Sequence, residues 1–440
     1  MNDRMQDEKS MKVFWFRRDL RLEDNTALHH ALGSGSPVLS LFIFDTNILH
    51  ELPEDDPRLS FIYNRLRSIH LELSERGSSL LVKKGDPVKI WKELIGMHGI
   101  EEVFVNGDYE PYAIERDRKI EKLLRQQDIP MHFFKDQVIF EKDEVVKKDG
   151  DPYTIFTPYK KRWLQHFRSQ TPHSRESSDF RMFLKSDFTF PDLSEIGFKP
   201  SSIRVKDYDL SVADNYAETR DFPGQDATSR LGPHLRFGTV SIRRIISRLD
   251  PSHEVFLGEL IWREFFMQIL FHFPDVVRKN FRSKYNGIAW RNNDQEFERW
   301  CRGKTGYPMV DAGMRQLNRT GFMHNRTRMV TASFLCKHLL IDWRWGESYF
   351  AQKLLDYELS SNNGNWQWAA GTGCDAAPYF RVFNPAQQMK KYDPDRTYVK
   401  KWIPEYGTTE YPDPMVDHKF ARSRALETYK KGIETPIREA

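Results

Sequence analysis

Two tryptophans stand two residues apart, beside a run of amides, in Ser361-Asn-Asn-Gly-Asn-Trp-Gln-Trp368. In a helix, at about 100° per residue, Trp366 and Trp368 point to nearly opposite sides. One ring can then look into a cavity while the other looks into protein, although two core aromatics satisfy the same pattern. A second constellation lies in Glu259-Leu-Ile-Trp-Arg-Glu-Phe-Phe266, where Glu259, Trp262, Arg263 and Phe266 fall at i, i+3, i+4 and i+7 on one helical face. A carboxylate, an indole and a guanidinium on one face suit a cavity in which a planar ligand stacks on Trp262 and offers a polar edge to Glu259. An amphipathic helix with a snorkelling arginine explains that spacing equally well.

Three further segments add to these. Thr228-Ser-Arg-Leu-Gly-Pro-His-Leu235 sets hydroxyls and glycine ahead of an apolar helical pattern, the arrangement of a capped helix start and also of a phosphate cradle. Met323-His-Asn-Arg-Thr-Arg-Met329 brings Asn325 and Met329 to one face at i and i+4, with Arg328 beside them and Asp356 as its ion-pair partner. Gly303-Lys-Thr-Gly-Tyr-Pro308 has the look of a Walker A fragment but lacks the leading glycine and the spacing, which excludes a nucleoside triphosphate site there. Cys301, Cys336 and Cys374 match no zinc or disulfide spacing, so they read as reduced thiols of a cytoplasmic protein, with no metal site.

These residues need two kinds of scaffold. At 440 residues the chain exceeds one hydrophobic core and predicts two domains. Short apolar runs at Lys12–Phe16, Val38–Phe44, Leu80–Val82, Glu102–Val105 and Met131–Phe134 alternate with helical patterns, the clearest being Leu59, Ile62, Leu66, Ile69 and Leu73. That alternation predicts an α/β domain with a doubly wound parallel sheet over 11–134. Residues 135–205 lose periodicity and read as a linker on the surface, with a turn at Lys147-Lys-Asp-Gly150, an exposed connector at Ser169–Ser178 and a solvated Lys160-Lys161-Arg162. Over 206–432 only helical spacing remains, at Glu254–Phe271, Met309–Leu317, Asn325–Leu340 and Tyr349–Leu359, so this domain is expected to be all-α. Residues 1–10 read as a frayed start, and the nine or so residues after Lys431 leave no room for a long tail. No apolar run is long enough to span a membrane. A net charge of +4, from 67 basic and 63 acidic residues, is too small to argue nucleic-acid binding without a clustered basic face. Aromatic residues at 13% exceed what packing alone asks for and suggest ligand surfaces.

Together these segments resemble the photolyase/cryptochrome family. The resemblance runs from Val13-Phe-Trp-Phe-Arg-Arg-Asp-Leu-Arg21 to Trp402-Ile-Pro404. It is most specific at His324-Asn-Arg326, Asn362–Trp368 and Asp375-Ala-Ala-Pro-Tyr-Phe-Arg-Val-Phe-Asn-Pro385, which look like class I cyclobutane pyrimidine dimer photolyases. It implies an antenna domain followed by a helical FAD-binding domain, and light-driven electron transfer from reduced FAD to a dimer flipped out of DNA. By position, Tyr216, Thr228, Ser229, Arg230, Leu231, Gly232, Phe256, Arg263, Arg328, Asp356, Tyr357 and Glu358 would hold FAD, with Asn362 facing flavin N5. Glu259, Trp262, Asn325, Met329 and Trp368 would contact the lesion, and Arg263, Phe266, Arg326, Arg381 and Gln388 the DNA around it. Trp366, Trp343 and Trp290 match the family's chain of redox-active indoles. Phe322 before Met-His-Asn, and Glu358 in place of a commoner aspartate, depart from the pattern and would retune the flavin slightly.

The resemblance further implies a monomer acting on dimer-containing DNA. It leaves room for a second antenna chromophore near Asp108-Tyr-Glu-Pro-Tyr112, a stretch that does not distinguish methenyltetrahydrofolate from a deazaflavin or from an empty pocket. The main rival is a cryptochrome that signals through a partner, against which an asparagine at 362 and the complete lesion set both argue. A relative preferring single strands and a general electron-transferring flavoprotein are further rivals, the latter having no need of Glu259, Trp262, Asn325 and Met329 together.

Overall fold

The computed structural model describes residues 10–170, 174–175 and 179–434, so the expected frayed start, part of the Ser169–Ser178 connector and the last residues lie outside the described residues. The chain forms two compact units. The first comprises residues up to 145 with 163–207 and 231–251, and the second comprises 146–162, 208–230 and residues from 252 onward.

The first unit is built on β1 (Met11–Phe16), β2 (Val38–Asp45), β3 (Leu80–Gly85), β4 (Ile100–Asn106) and β5 (Met131–Phe134). All neighbours pair parallel in the order β3-β2-β1-β4-β5, as the alternation of runs and helices requires. Side chains alternate along a strand, and both faces are covered. Phe14, Phe16 and Phe42 pack with α1 (Thr26–Leu32) and, past α2 (Thr46–Leu49), with Leu66 and Ile69 of α3 (Pro57–Ser74). Val13, Trp15 and Leu41 pack with Trp91 of α4 (Pro87–Met97) and Ile120 of α5 (Pro111–Arg125). Helix starts are set locally: Asn25, Asp56 and Asp86 each accept from a backbone N–H of the first turn.

Residues 135–205 are more ordered than their sequence texture predicts. They contain α6 (Phe156–Ser169), and Leu184 donates its N–H to the carbonyl of Val38 at the sheet. Periodicity is weak there because α6 carries lysine, arginine and threonine between its buried rings. The turn at 147–150 forms as expected, with the Gly150 N–H donating to Lys147 O. After α7 (Tyr216–Thr219) come α8 (Leu231–Arg236) and α9 (Ile242–Ile246), which belong to the first unit rather than to the helical one. Arg243 of α9 explains the grouping, because its buried guanidinium bonds Asp24 and Asp136. Burial alone would raise the Asp136 carboxyl, but Arg21 and Arg243 hold it down to about 2.

The second unit is helical: α10 (Glu254–His272), α11 (Asp294–Cys301), α12 (Pro308–Thr320), α13 (Asn325–Ser333), α14 (Trp343–Lys353), α15 (Leu359–Ala370), α16 (Pro385–Tyr392), α17 (Thr397–Trp402) and α18 (His418–Glu434). The spacing over Asn325–Leu340 is helical, but past Ser333 it widens into a π-turn at Phe334–His338. The stretch Tyr349–Leu359 is not one helix, since α14 ends at Lys353 and α15 begins at Leu359. No helix among the described residues is long and apolar enough to cross a membrane.

Candidate active site

α15 is the helix on which the site is built. Trp366 is buried against Phe350 of α14 and Trp300 of α11, while Trp368 is half-buried. Two glycines let neighbouring helices come this close. A Cβ at Gly346 would stand 2.1 Å from the Trp366 ring, and one at Gly364 would stand 2.2 Å from the ring of Phe266. The first contact packs α14, and the second α10, onto α15.

Between α13, α14 and α15 lies a partly open cavity of about 100 Å³. Asn325, Arg328 and Met329 line it from α13, Asp356, Tyr357 and Glu358 from the approach to α15, and Asn362 and Trp368 from α15 itself. Apolar walls with a few convergent polar groups are the usual make-up of a ligand site. Arg328 pairs with Asp356 at 2.9 Å, as their charges predict. Asn362 uses its amide nitrogen on Glu347, donating to the backbone carbonyl at 3.1 Å and to Oε1 at 2.8 Å. Burial pushes the Glu347 carboxyl up, partly opposed by that hydrogen bond.

α10 contributes the second set. Arg263 meets Glu358 at the start of α15 through Nε at 3.0 Å and Nη2 at 3.2 Å, the carboxylate being buried and the guanidinium partly so. Glu259, one turn away, pairs with Arg220 at 2.7 Å, and Tyr216 stands edge-on to Phe256 beneath the Arg220 guanidinium. Burial, then the charge of Glu259, lifts the Tyr216 phenol to about 12, so it stays protonated. Thr228 and Ser360 each hold a buried hydroxyl oxygen without a hydrogen-bond partner among the described residues. Arg230 lies 3.7 Å over Phe322 and pairs with Asp226. An arginine, two orphaned hydroxyls and a partly aromatic cavity fit a large ligand that has both phosphates and a planar ring.

Not every expected residue faces this space. Phe266 is buried against Gly364, so the helical face that carries Glu259 turns inward at its far end. Arg263 likewise turns to Glu358. Leu231 is buried and Gly232 exposed, and both belong to the first unit, unlike Thr228, Ser229 and Arg230. Arg326 is half-committed, bonding Asp221 at 2.5 Å and lying over Tyr392, whereas Arg381 is exposed and Gln388 half-buried. Trp343 is buried with its Nε1 donating to Asn280 at 2.8 Å, and Trp290 is half-exposed against Tyr429. The three indoles thus run from buried to partly exposed.

Two residues escaped the sequence. Glu347 sits on α14 with no motif around it, its only signal being that it lies four residues after Trp343. Phe156 opens α6 in what read as linker. The Walker-like loop is explained by a different carboxylate: Asp311 accepts from Thr305 N and Gly306 N, so those amides are unavailable to phosphate.

Beyond geometry, a family model described as DNA photolyase matches residues 12–176, and one described as FAD binding domain of DNA photolyase matches residues 256–410. The chain is 35% identical to a deoxyribodipyrimidine photo-lyase of Agrobacterium fabrum over 95% of its own length and 97% of the relative's. Its structure is similar to a bacterial class III photolyase from Agrobacterium tumefaciens, with a TM-score of 0.86, 35% identity and coverage of 99% of this chain and 100% of that one. It is also similar to the Synechocystis cryptochrome, with a TM-score of 0.85, 26% identity and coverage of 96% and 100%.

Proposed function

The chain belongs to the DNA photolyase family, and from that premise we propose how its own residues carry out light-driven repair of cyclobutane pyrimidine dimers in DNA. FAD, when bound, reduced and excited by light, supplies the electron that opens the dimer. The cavity residues Arg328, Asp356, Tyr357 and Glu358, with Arg263, Tyr216 and Phe256, hold it, and the orphaned hydroxyls of Thr228 and Ser360 bond to it.

Asn362 presents an amide whose nitrogen is already taken by Glu347, so its oxygen is what it offers inward. That oxygen can accept from a reduced flavin ring but has no proton to give. Trp262 and Trp368 stack on the displaced pyrimidines, Glu259 and Asn325 read their polar edges, and Met329 fills the wall beside Asn325. Extrusion costs a few kcal/mol, a figure for which photolyases are among the general examples, and these contacts offset it. Trp366, Trp343 and Trp290 pass electrons inward by short hops. Arg381 and the free edge of Arg326 bind phosphates, so affinity falls with added salt.

The observation that carries this reading is the meeting of Asn325, Met329, Asn362 and Trp368 around one cavity. A flavoprotein that only relays electrons has no use for that set, and Asn362 favours repair over cryptochrome-type signalling. We place the protein in the cytoplasm as a monomer; a second antenna chromophore, if bound, has its place in the first unit beside 108–112. Repair of a dimer-bearing oligonucleotide under blue light, on single and double strands at fixed salt, is the test. Equal affinity for intact and dimer-bearing DNA, with no repair, would overturn the proposal.

A further inference from the structure

Trp262 is boxed in. Phe156, the first residue of α6, lies parallel to the indole with ring centroids 3.6 Å apart and 9° between planes. Phe265 meets it edge-on at 5.6 Å, and Phe266 is tilted at 5.3 Å. Aromatic pairs left to themselves settle offset or edge-on, with centroids about 4.5–7 Å apart. So close and flat a stack needs its neighbours to hold it.

Three fastenings do so, all from the first turn of α6 or its tether. The Phe156 N–H donates to Asp375 Oδ2 at 3.1 Å. Tyr159 packs on Phe265 at 5.2 Å, and Lys160 pairs with Glu254 at 3.0 Å. On α10 the positions met are 254, 262 and 265, one stripe of the helix beside the face that carries Glu259. Gly258 lies in the same stripe, where a Cβ would stand 3.6 Å from the Lys160 ammonium. The Lys160 that reads in sequence as part of a solvated face is therefore a clasp.

One face of the Trp262 indole is closed by this arrangement, and a planar ligand can reach only the opposite face or an edge. We propose that Phe156 is a positioning residue for lesion capture, fixing the plane of Trp262 so that a displaced pyrimidine meets a stacking surface already set. Side-chain ordering is then completed on folding instead of being charged to binding. The inference rests on the reading of Trp262 as a lesion contact.

Its test is the dissociation constant for a dimer-bearing duplex and for the same duplex undamaged, at one salt concentration, with FAD content and thermal midpoint measured alongside. Phe156→Leu keeps apolar volume but loses the plane, and should weaken dimer binding about three- to tenfold while leaving intact DNA unchanged. Phe156→Tyr keeps the plane and should restore discrimination. Asp375→Ala removes only the tether and should move the ratio in the same direction, about twofold, which keeps the test open if Phe156→Leu fails to fold. Unchanged discrimination in both Phe156→Leu and Asp375→Ala, or equal losses on the two DNAs, would overturn the positioning role. A wild-type protein that does not discriminate would instead overturn the function on which it rests.

Discussion

Asn362 and Glu347 are bonded twice through one amide nitrogen, at 3.1 Å to the carbonyl and 2.8 Å to the carboxyl. Glu347→Ala deletes one acceptor in a buried setting, and the amide is freed to turn. The expected cost is about 1–3 kcal/mol of stability together with weaker retention of FAD. Glu347→Gln retains an oxygen acceptor and should recover most of both. Thermal midpoints with and without FAD check this, and an unchanged midpoint in the alanine variant would show that the pair holds nothing in place.

Trp343→Phe should abolish light-driven reduction of the bound, oxidised cofactor and spare repair by protein reduced chemically beforehand. The indole is buried, and phenylalanine leaves Oδ1 of Asn280 without its Nε1 donor, so a modest loss of stability is expected as well. Photoreduction at the wild-type rate would remove Trp343 from the electron path.

Gly346→Ala tests the seam between α14 and α15. Its Cβ would meet the Trp366 ring at 2.1 Å and Leu335 at 2.6 Å, so the helices must part. Overpacking of this kind costs about 1–3 kcal/mol. Urea unfolding should show it, and the fluorescence of Trp366 should shift. A neutral substitution would mean that the seam is looser than described.

The fourth prediction concerns pH. His324 caps α13, its Nδ1 accepting the Arg326 N–H, and burial, then the charge of Arg328, lowers its pKa to about 4 from 6.5. A depressed imidazole binds protons more readily when unfolded, so stability is full above pH 6.5 and falls as pH drops towards 4. The loss is roughly 3 kcal/mol. His324→Asn keeps a capping acceptor and should flatten the fall between pH 6.5 and 4. An equally steep fall in that variant would assign the effect elsewhere; burial lowers the His338 pKa too, by more.

The parallel sheet was legible because β1 and β2, buried along their whole length, write nearly continuous apolar runs, as Val38–Phe44 does, with shorter apolar runs in the other three strands. Asn325, Met329, Arg328 and Asp356 were legible because i, i+4 spacing and opposite charge act locally. Phe156 and Glu347 were not, since each matters only through a partner about 106 or 15 residues away, Trp262 and Asn362, and nothing in the intervening sequence records the pairing. The burial of Phe266 was not legible for the opposite reason. Its i+7 spacing puts it on the face of Glu259 and Trp262, but a glycine at 364 lets another helix cover that end. The helical reading of Tyr349–Leu359 failed where Leu354 turns extended, with ψ at 129°, a break that carries no proline or glycine to announce it.

The helical unit gathers pieces from three separate stretches, 146–162, 208–230 and 252 onward. A gene fragment cut at residue 256, where the FAD-binding match begins, would leave behind Phe156, Tyr159, Tyr216, Arg220 and Thr228. It would thus lack the cover of Trp262 and the partner of Glu259 while still looking whole in length. Shuffling this unit between relatives by a single crossover therefore breaks contacts that no one junction can restore, and its inheritance as an intact block is to be expected.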